Sequence, residues 1–256
     1  MIDTIKIAWP MMNCPDSRQL ITLGWNPRYD EFSGELASWR IQEKGISGMP
    51  RLGLFKAPNG LHYCAIQVSL PALVRGSNTL LLTELEVLSA LDSLKGIATG
   101  RLKQDFLPLS DASVWEIDFA RDLTFGDRSA ADFMKTLAVM DIKGFERTRY
   151  SDTTLYLHPK RCNPRYPPRT ICIYAKQAER IAKNCSESDI ELSKGVIRLE
   201  YRFRKSSAIK RLVKTLCLPD QRPLTIASSA IAVTVLNPVE EQMRRVISVS
   251  GELKSD

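Results

Sequence analysis

Alternation of apolar and polar residues is the dominant pattern of this chain, and proline and glycine repeatedly interrupt it. A period of two predicts β-strands with one buried face, joined by loops. The predicted strands cover 4–8, 35–41, 52–56, 62–69, 114–120, 153–158, 170–176 and 195–205. A surface loop is expected at 42–51, where Gly45, Gly48 and Pro50 cluster.

Three segments change to the helical spacing of apolar residues. They are 79–97, a segment reaching about Lys143, and 206–217. Asn78 or Thr79 would cap the first helix, and Asp127 or Ser129 would begin the second. Because strands and helices interleave without regular βαβ spacing, the chain is predicted to form an α+β fold. Its sheet is expected to be largely antiparallel, with helices covering one face.

A turn-prone segment at 219–223 separates the end of the chain from the rest. The residues that follow it have a helical or mixed pattern of their own. The sequence therefore predicts a main domain at 1–218 and a small C-terminal appendage at 219–256.

The charge of the chain favours a polyanionic partner. Lys and Arg outnumber Asp and Glu by 36 to 29, which gives a net charge of +7. With 256 residues and 44% hydrophobic composition, the chain can bury a sizeable core. The longest apolar-rich segment, 80–97, is interrupted by charges, and the amino terminus lacks the features of a secretory signal. The protein is therefore expected to be cytoplasmic, with no membrane span.

Cysteine and histidine are too scattered for most catalytic centres. The six cysteines lack the spacing of zinc ligands, and His62 and His158 lie far apart. A histidine-based metal site or a Ser-His-Asp triad is therefore disfavoured. Any metal chemistry would depend on carboxylates.

The period-two phase places groups suited to phosphodiester chemistry on the polar faces of three predicted strands. The polar face of the last strand, predicted to be exposed, carries Arg198, Glu200, Arg202 and Arg204. Tyr174 and Lys176 share the outer side of the preceding strand, and Glu179 lies three residues beyond. Asp118 has the outward phase in its own strand.

These residue types fit metal-assisted attack on a phosphodiester. Asp118, Glu200 and Glu179 offer hard oxygen ligands for Mg²⁺ or Mn²⁺. Tyr174 is the predicted nucleophile, and Lys176 would help to remove its proton or would neutralise the phosphorane. Each residue also has an ordinary explanation, as part of a solvated strand face or as a half-buried sheet tyrosine.

A basic, proline-rich loop at 159–169 is predicted to contact DNA, because cations bind phosphates and a tyrosine can stack on bases. The alternative is a solvated basic turn. Together with the strand arginines, the predicted DNA-binding residues are Lys160, Arg161, Arg165, Tyr166, Arg169, Arg198, Arg202 and Arg204.

Three motifs, in this order, resemble the replication initiation proteins of filamentous phages, the gene II type, and more distantly the rolling-circle initiators of small plasmids. The motifs are Trp115-Glu116-Ile117-Asp118-Phe119-Ala120, Tyr174-Ala175-Lys176-Gln177-Ala178-Glu179 and Arg198-Leu199-Glu200-Tyr201-Arg202. The similarity spans most of the chain. The chain lacks the His-hydrophobic-His motif of the commonest rolling-circle nickases, so the metal is assigned to carboxylates by analogy.

The resemblance implies a metal-dependent, site-specific DNA endonuclease that initiates rolling-circle replication of a phage. Tyr174 would attack a phosphate of origin DNA, form a 5′-phosphotyrosine link and leave a 3′ hydroxyl for the host polymerase, with the host helicase as a further partner. Tyr156 and Tyr166 are the reserve nucleophiles. The alternative is a non-catalytic DNA-binding regulator of phage replication, which needs only the basic side chains. A third reading is a basic domain that binds a protein.

Overall fold

The structure, a computed structural model, describes residues 1–11, 15–29, 36–41, 48–57, 60–103, 108–124, 130–139, 141–163 and 167–252. The described strands are β1 (Ile2–Met11), β2 (Asn26–Tyr29), β3 (Leu36–Ile41), β4 (Arg51–Lys56), β5 (His62–Ser69), β6 (Ser113–Thr124), β7 (Phe145–Ser151), β8 (Thr154–Pro159), β9 (Arg169–Ala175) and β10 (Val196–Phe203). The described helices are α1 (Ser17–Thr22), α2 (Leu70–Arg75), α3 (Glu84–Leu102), α4 (Ala130–Leu137), α5 (Lys176–Ala182), α6 (Glu187–Leu192), α7 (Ser206–Thr215), α8 (Pro223–Ile226) and α9 (Ser229–Glu252).

All the described strands join one antiparallel sheet. Their order is β2-β3-β4-β5-β1-β6-β10-β9-β8-β7. Strand β1 pairs with β5 on one side and with β6 on the other, and β10 lies between β6 and β9. The three motif-bearing strands are therefore neighbours near the middle of the sheet. This architecture confirms the predicted α+β fold.

Apolar side chains at alternate strand positions pack one face of the sheet against helices. Ile117, Ile173 and Leu199, on β6, β9 and β10, are fully buried. Helices α4, α7 and α9 pack against these strands. Burial of each such side chain contributes about 1.5–3 kcal/mol to folding. The prediction that helices cover one face is confirmed, and the opposite face is left for polar residues.

Helix α3 begins after Thr83 rather than at the predicted caps Asn78 and Thr79. The Thr83 hydroxyl accepts a hydrogen bond from the backbone N–H of Glu86, whose carboxylate accepts one from the Thr83 N–H, forming a capping box. Asn78 and Thr79 have a different role, because their backbone carbonyl oxygens accept hydrogen bonds from Arg198 at 2.7 and 2.9 Å. The predicted cap position was therefore wrong.

Other predicted boundaries shift or fall outside the described residues. Helix α4 ends at Leu137, before the predicted end near Lys143. The proposed starts of that helix, Asp127 and Ser129, lie outside the described residues. Most of the predicted loop 42–51 also lies outside the described residues, and its last residue, Arg51, begins β4.

The segment after residue 219 forms α8 and α9. Helix α9 packs against β6, β10 and α4. Ile226, Leu236 and Met243 are fully buried and belong to the same apolar core as the sheet. Within the described ranges, no helix is both long and apolar enough to cross a membrane.

Candidate active site

The polar face of the central strands brings most of the predicted catalytic residues together. Tyr174 is paired with Arg198, and Arg202 is paired with Asp118. Directly paired residues of an antiparallel sheet point to the same face. Tyr174, Asp118, Glu179 and Glu200 all line one cavity of about 560 Å³. The strand phase inferred from the sequence therefore brings Tyr174, Asp118 and Glu200 to one space, and Glu179 reaches it from helix α5.

Tyr174 and Glu200 are joined by a short hydrogen bond in this cavity. The Tyr174 hydroxyl donates a hydrogen bond of 2.5 Å to Oε1 of Glu200, and 6% of Tyr174 is exposed. Burial and the adjacent Glu200 raise the pKa of Tyr174 well above 10. Burial opposes ionisation of Glu200, but Arg202, the hydrogen bond from Tyr174 and Arg198 together outweigh it and lower the pKa of that carboxyl. The pair is therefore a neutral phenol facing an ionised acceptor.

Lys176 approaches Tyr174 from helix α5 and not from the strand. It is the first residue of that helix and is fully buried. Its Nζ lies 5.6 Å from the centre of the Tyr174 ring and 3.2 Å from Oε2 of Glu179. Burial, with Arg198 nearby, lowers the pKa of Lys176 to about 8. The ammonium thus contacts the ring and Glu179, and it does not line the cavity.

Asp118 is a buried carboxyl that has a hydrogen-bond partner on one of its two oxygens. Its Oδ2 accepts a hydrogen bond of 2.7 Å from Arg204, whereas Oδ1 is buried with no hydrogen-bond partner among the described residues. Burial raises the pKa of Asp118 to about 7, although Arg204 and Arg202 act in the opposite direction. Near neutral pH this carboxyl exists in both protonation states, so it can donate a proton or accept one.

The predicted exposure of the polar face of β10 is wrong for Arg198 and Glu200, which are both buried. Arg198 donates two hydrogen bonds to Asp122, at 2.6 and 2.7 Å. Its remaining donors reach the carbonyl oxygens of Asn78 and Thr79. The segment between α2 and α3 therefore covers this end of β10. Arg198 holds that segment and is not at the surface that DNA would contact.

The three predicted metal ligands do not form a metal centre as they are arranged. Glu179 is surrounded by the cations Lys176, Arg180 and Lys183. Glu200 already accepts hydrogen bonds on both oxygens, from Tyr174 and Arg202. Across the residues that the structure describes, no group of three or more His, Cys, Asp or Glu side chains is placed to hold a metal ion.

The predicted DNA-binding residues are spread over different surfaces. Arg202 and Arg204 line the cavity. Arg169 is paired with Phe203, on the helix-covered face, and its guanidinium lies 5.3 Å from the ring centre of Phe145. Arg169 begins β9 and Tyr174 lies near its end, so they are about 17 Å apart along the strand.

The remaining residues of the predicted loop also lie away from the cavity or cannot be placed. Lys160 and Arg161 are exposed at the turn after β8 and do not line the cavity. Arg165 and Tyr166 lie outside the described residues. The described residues of the basic loop are therefore at the opposite end of β9 from Tyr174.

Asp3 also belongs to this site although it was not predicted from the sequence, and so does Tyr156, which was predicted only as a reserve nucleophile. Both line the cavity. Asp3 is buried, its Oδ1 lies 3.6 Å from Arg198, and burial together with Glu200 raises its pKa. The guanidinium of Arg202 lies 5.7 Å from the Tyr156 ring centre. A lone carboxylate inside the apolar run of β1 was the available signal for Asp3.

Comparison with known proteins gives little help with this site. No protein-family model matches the chain, and no curated protein matches it. Among solved structures, the di-domain ARO/CYC BexL from the BE-7585A biosynthetic pathway aligns with 87% of this chain and 77% of its own. The identity is 10% and the TM-score 0.27, so this likeness supports no conclusion about fold or function.

Proposed function

We propose that this protein nicks origin DNA through Tyr174 and thereby initiates rolling-circle replication, as its resemblance to filamentous-phage initiators implies. The observation that supports the proposal is the 2.5 Å hydrogen bond from Tyr174 to Glu200, beside a cavity lined by Arg202 and Arg204. A phenol that can pass its proton to a carboxylate, next to cations that can hold a phosphate, suits attack on a phosphodiester.

The proposed reaction couples loss of the phenolic proton to attack, because Tyr174 is neutral in the resting protein. Oη of Tyr174 forms a bond to phosphorus while its proton passes to Oε1 of Glu200. The bond between phosphorus and the 3′ oxygen of the DNA breaks, and Asp118 supplies the proton that this oxygen takes up. The products are a 5′-phosphotyrosine link and a free 3′ hydroxyl.

Cations around the cavity would stabilise the charge that develops on the phosphate. Arg51, Lys183, Arg202 and Arg204 belong to its lining. Arg202 and Arg204 are already bonded to Glu200 and Asp118. A bound phosphate would share these guanidinium groups with the carboxylates, which places it next to the proposed base and acid. Lys176, packed on the Tyr174 ring, is proposed to favour the phenolate electrostatically.

A test of the nicking proposal uses two DNA substrates. Supercoiled plasmid that carries the origin should become open-circular, and a pool of randomised single-stranded oligonucleotides should leave a nucleotide adduct on Tyr174, detected by mass spectrometry. Parallel reactions with Mg²⁺, Mn²⁺ and EDTA check the divalent requirement predicted from the sequence. Absence of nicks and adduct in every reaction would contradict the proposal.

The proposed acid makes nicking depend on pH. The pKa of Asp118 is about 7 in the folded protein, raised from 3.8 by burial, so its protonated fraction falls about tenfold per pH unit above 7. We expect the nicking rate to fall with it. In Asp118→Asn the rate should be lower, and the decline should begin only near pH 8, where Lys176 loses its charge, instead of near pH 7, as a rate profile between about pH 6 and pH 9 would reveal. An unchanged decline in the variant would exclude Asp118 as the acid.

A non-catalytic regulator of replication is the second candidate function, and the burial of Tyr174 favours it. The phenol is largely shielded from solvent, and its hydroxyl already has a partner. A protein that binds DNA only by neutralising its phosphates needs neither an exposed phenol nor a hydroxyl without a partner. Salt-dependent DNA binding without any adduct would support this second function over the first.

A further inference from the structure

A second groove crosses the polar face of the sheet beside the cavity that holds Tyr174. Its volume is about 600 Å³. The cations in its described lining are Lys6, Arg28, Arg40 and Arg51, and that lining includes no carboxylate. Glu116 lies 3.0 Å from Lys6 and partly neutralises it. The three arginines are exposed, so we name this feature the arginine groove after Arg28, Arg40 and Arg51.

The arginine groove is continuous with the cavity of Tyr174. Arg51 and Gln67 line both. Arg51 is paired with Gln67, and Gln67 with Lys6, so the three side chains share the face on which Asp118 and Tyr174 lie. A polymer held in the arginine groove can therefore extend into the cavity without crossing to the other face of the sheet.

An aromatic ring lies among these cations. Phe55 is part of the groove lining, and Nζ of Lys6 is 5.4 Å from its ring centre. Gly53 makes room for this ring, because a Cβ there would lie 2.6 Å from Cε2 of Phe55. Trp115 packs behind Phe55, with ring centres 6.0 Å apart. Cations interleaved with a half-buried aromatic ring are typical of surfaces that bind single-stranded nucleic acid.

We infer that the arginine groove binds the single-stranded DNA that flanks the scissile phosphate, with its phosphates on the arginines and a base against Phe55. The inference rests on the proposed function for the identity of the polyanion as DNA. A single strand is the form that fits, because its base faces are free to stack on a ring, whereas a duplex buries them. The described residues of the basic loop that was predicted to contact DNA lie at the other end of β9.

The test compares two charge-matched double variants in binding to a labelled single strand of about twenty nucleotides. Arg28→Ala/Arg40→Ala removes two cations of the arginine groove. Lys210→Ala/Lys214→Ala removes two exposed cations of α7, on the helix side of the sheet. Fluorescence anisotropy gives Kd between about 50 and 200 mM salt, and circular dichroism confirms that each variant is folded.

The groove variant is expected to bind at least about tenfold more weakly at the lower salt. The slope of log K against log salt should fall in magnitude by about 1.4, or 0.7 for each lost phosphate contact. The α7 variant should match the wild type within about twofold, and unlabelled duplex should compete poorly. Equal losses in both variants, no loss in the groove variant, or preferred binding of duplex would overturn the inference.

A separate measurement distinguishes failure of this inference from failure of the proposed nicking. Adduct formation is measured in the wild type and in Lys210→Ala/Lys214→Ala, which should modify Tyr174 at the same rate because neither lysine lines the cavity of Tyr174. If the wild type forms no adduct while the groove variant loses affinity, the nicking proposal fails and the arginine groove stands. If the adduct forms but affinity is unchanged in the groove variant, the inference about the arginine groove fails and the nicking proposal stands.

Discussion

Tyr174→Phe is expected to abolish the covalent protein–DNA adduct and to lower the nicking rate by at least about a thousandfold. The substitution removes the one atom proposed to bond to phosphorus. It leaves the ring in place, and Glu200 keeps its bonds to Arg202. The loss of one buried hydrogen bond should cost stability only about 1–3 kcal/mol. The rate is measured as conversion of supercoiled to open-circular plasmid, and the adduct by mass spectrometry.

Tyr156→Phe is the matched control for this experiment. Tyr156 lines the same cavity and contacts Arg202, the arginine that binds Glu200, so the variant removes the same hydroxyl group at a neighbouring place. It should retain the adduct and most of the rate. Adduct formation by Tyr174→Phe would refute Tyr174 as nucleophile, and loss of the adduct in Tyr156→Phe alone would transfer the role to Tyr156.

Local periodicity explains why much of this site could be predicted from the sequence. The side chains of a strand alternate strictly between faces, so Tyr174, Glu200 and Asp118 could each be assigned to the polar face from their own segment. The same rule also assigns Arg169 correctly, because five positions separate it from Tyr174 and an odd offset changes the face. The basic loop lies close to Tyr174 along the chain, and this closeness favoured the prediction that Arg169 contacts DNA beside Tyr174. The odd offset shows instead that Arg169 points to the other face.

Contacts between distant segments explain what the sequence did not reveal. Nothing near Arg198 in the chain indicates that Asn78 and Thr79 cover it, because more than a hundred residues separate them. The position of the Lys176 side chain depends on where β9 ends, because helix α5 begins at Lys176. The arginine groove likewise depends on the sheet order, which brings Arg28 and Arg40 to the same face as Lys6 through intervening strands.

Arg198→Met is expected to destabilise the protein by about 3 kcal/mol, the lower end of the cost of removing one partner from a buried ion pair, because Arg198 is fully buried but Asp122 is about one-quarter exposed. The substitution would leave Asp122 and two backbone carbonyl oxygens without their donor. Arg75→Met is the control, because the ion pair of Arg75 with Glu86 is about one-third exposed and should contribute no more than about 1 kcal/mol. Urea denaturation gives both free energies of unfolding. A loss below about 1 kcal/mol for Arg198→Met would mean that other contacts hold the segment between α2 and α3 over β10.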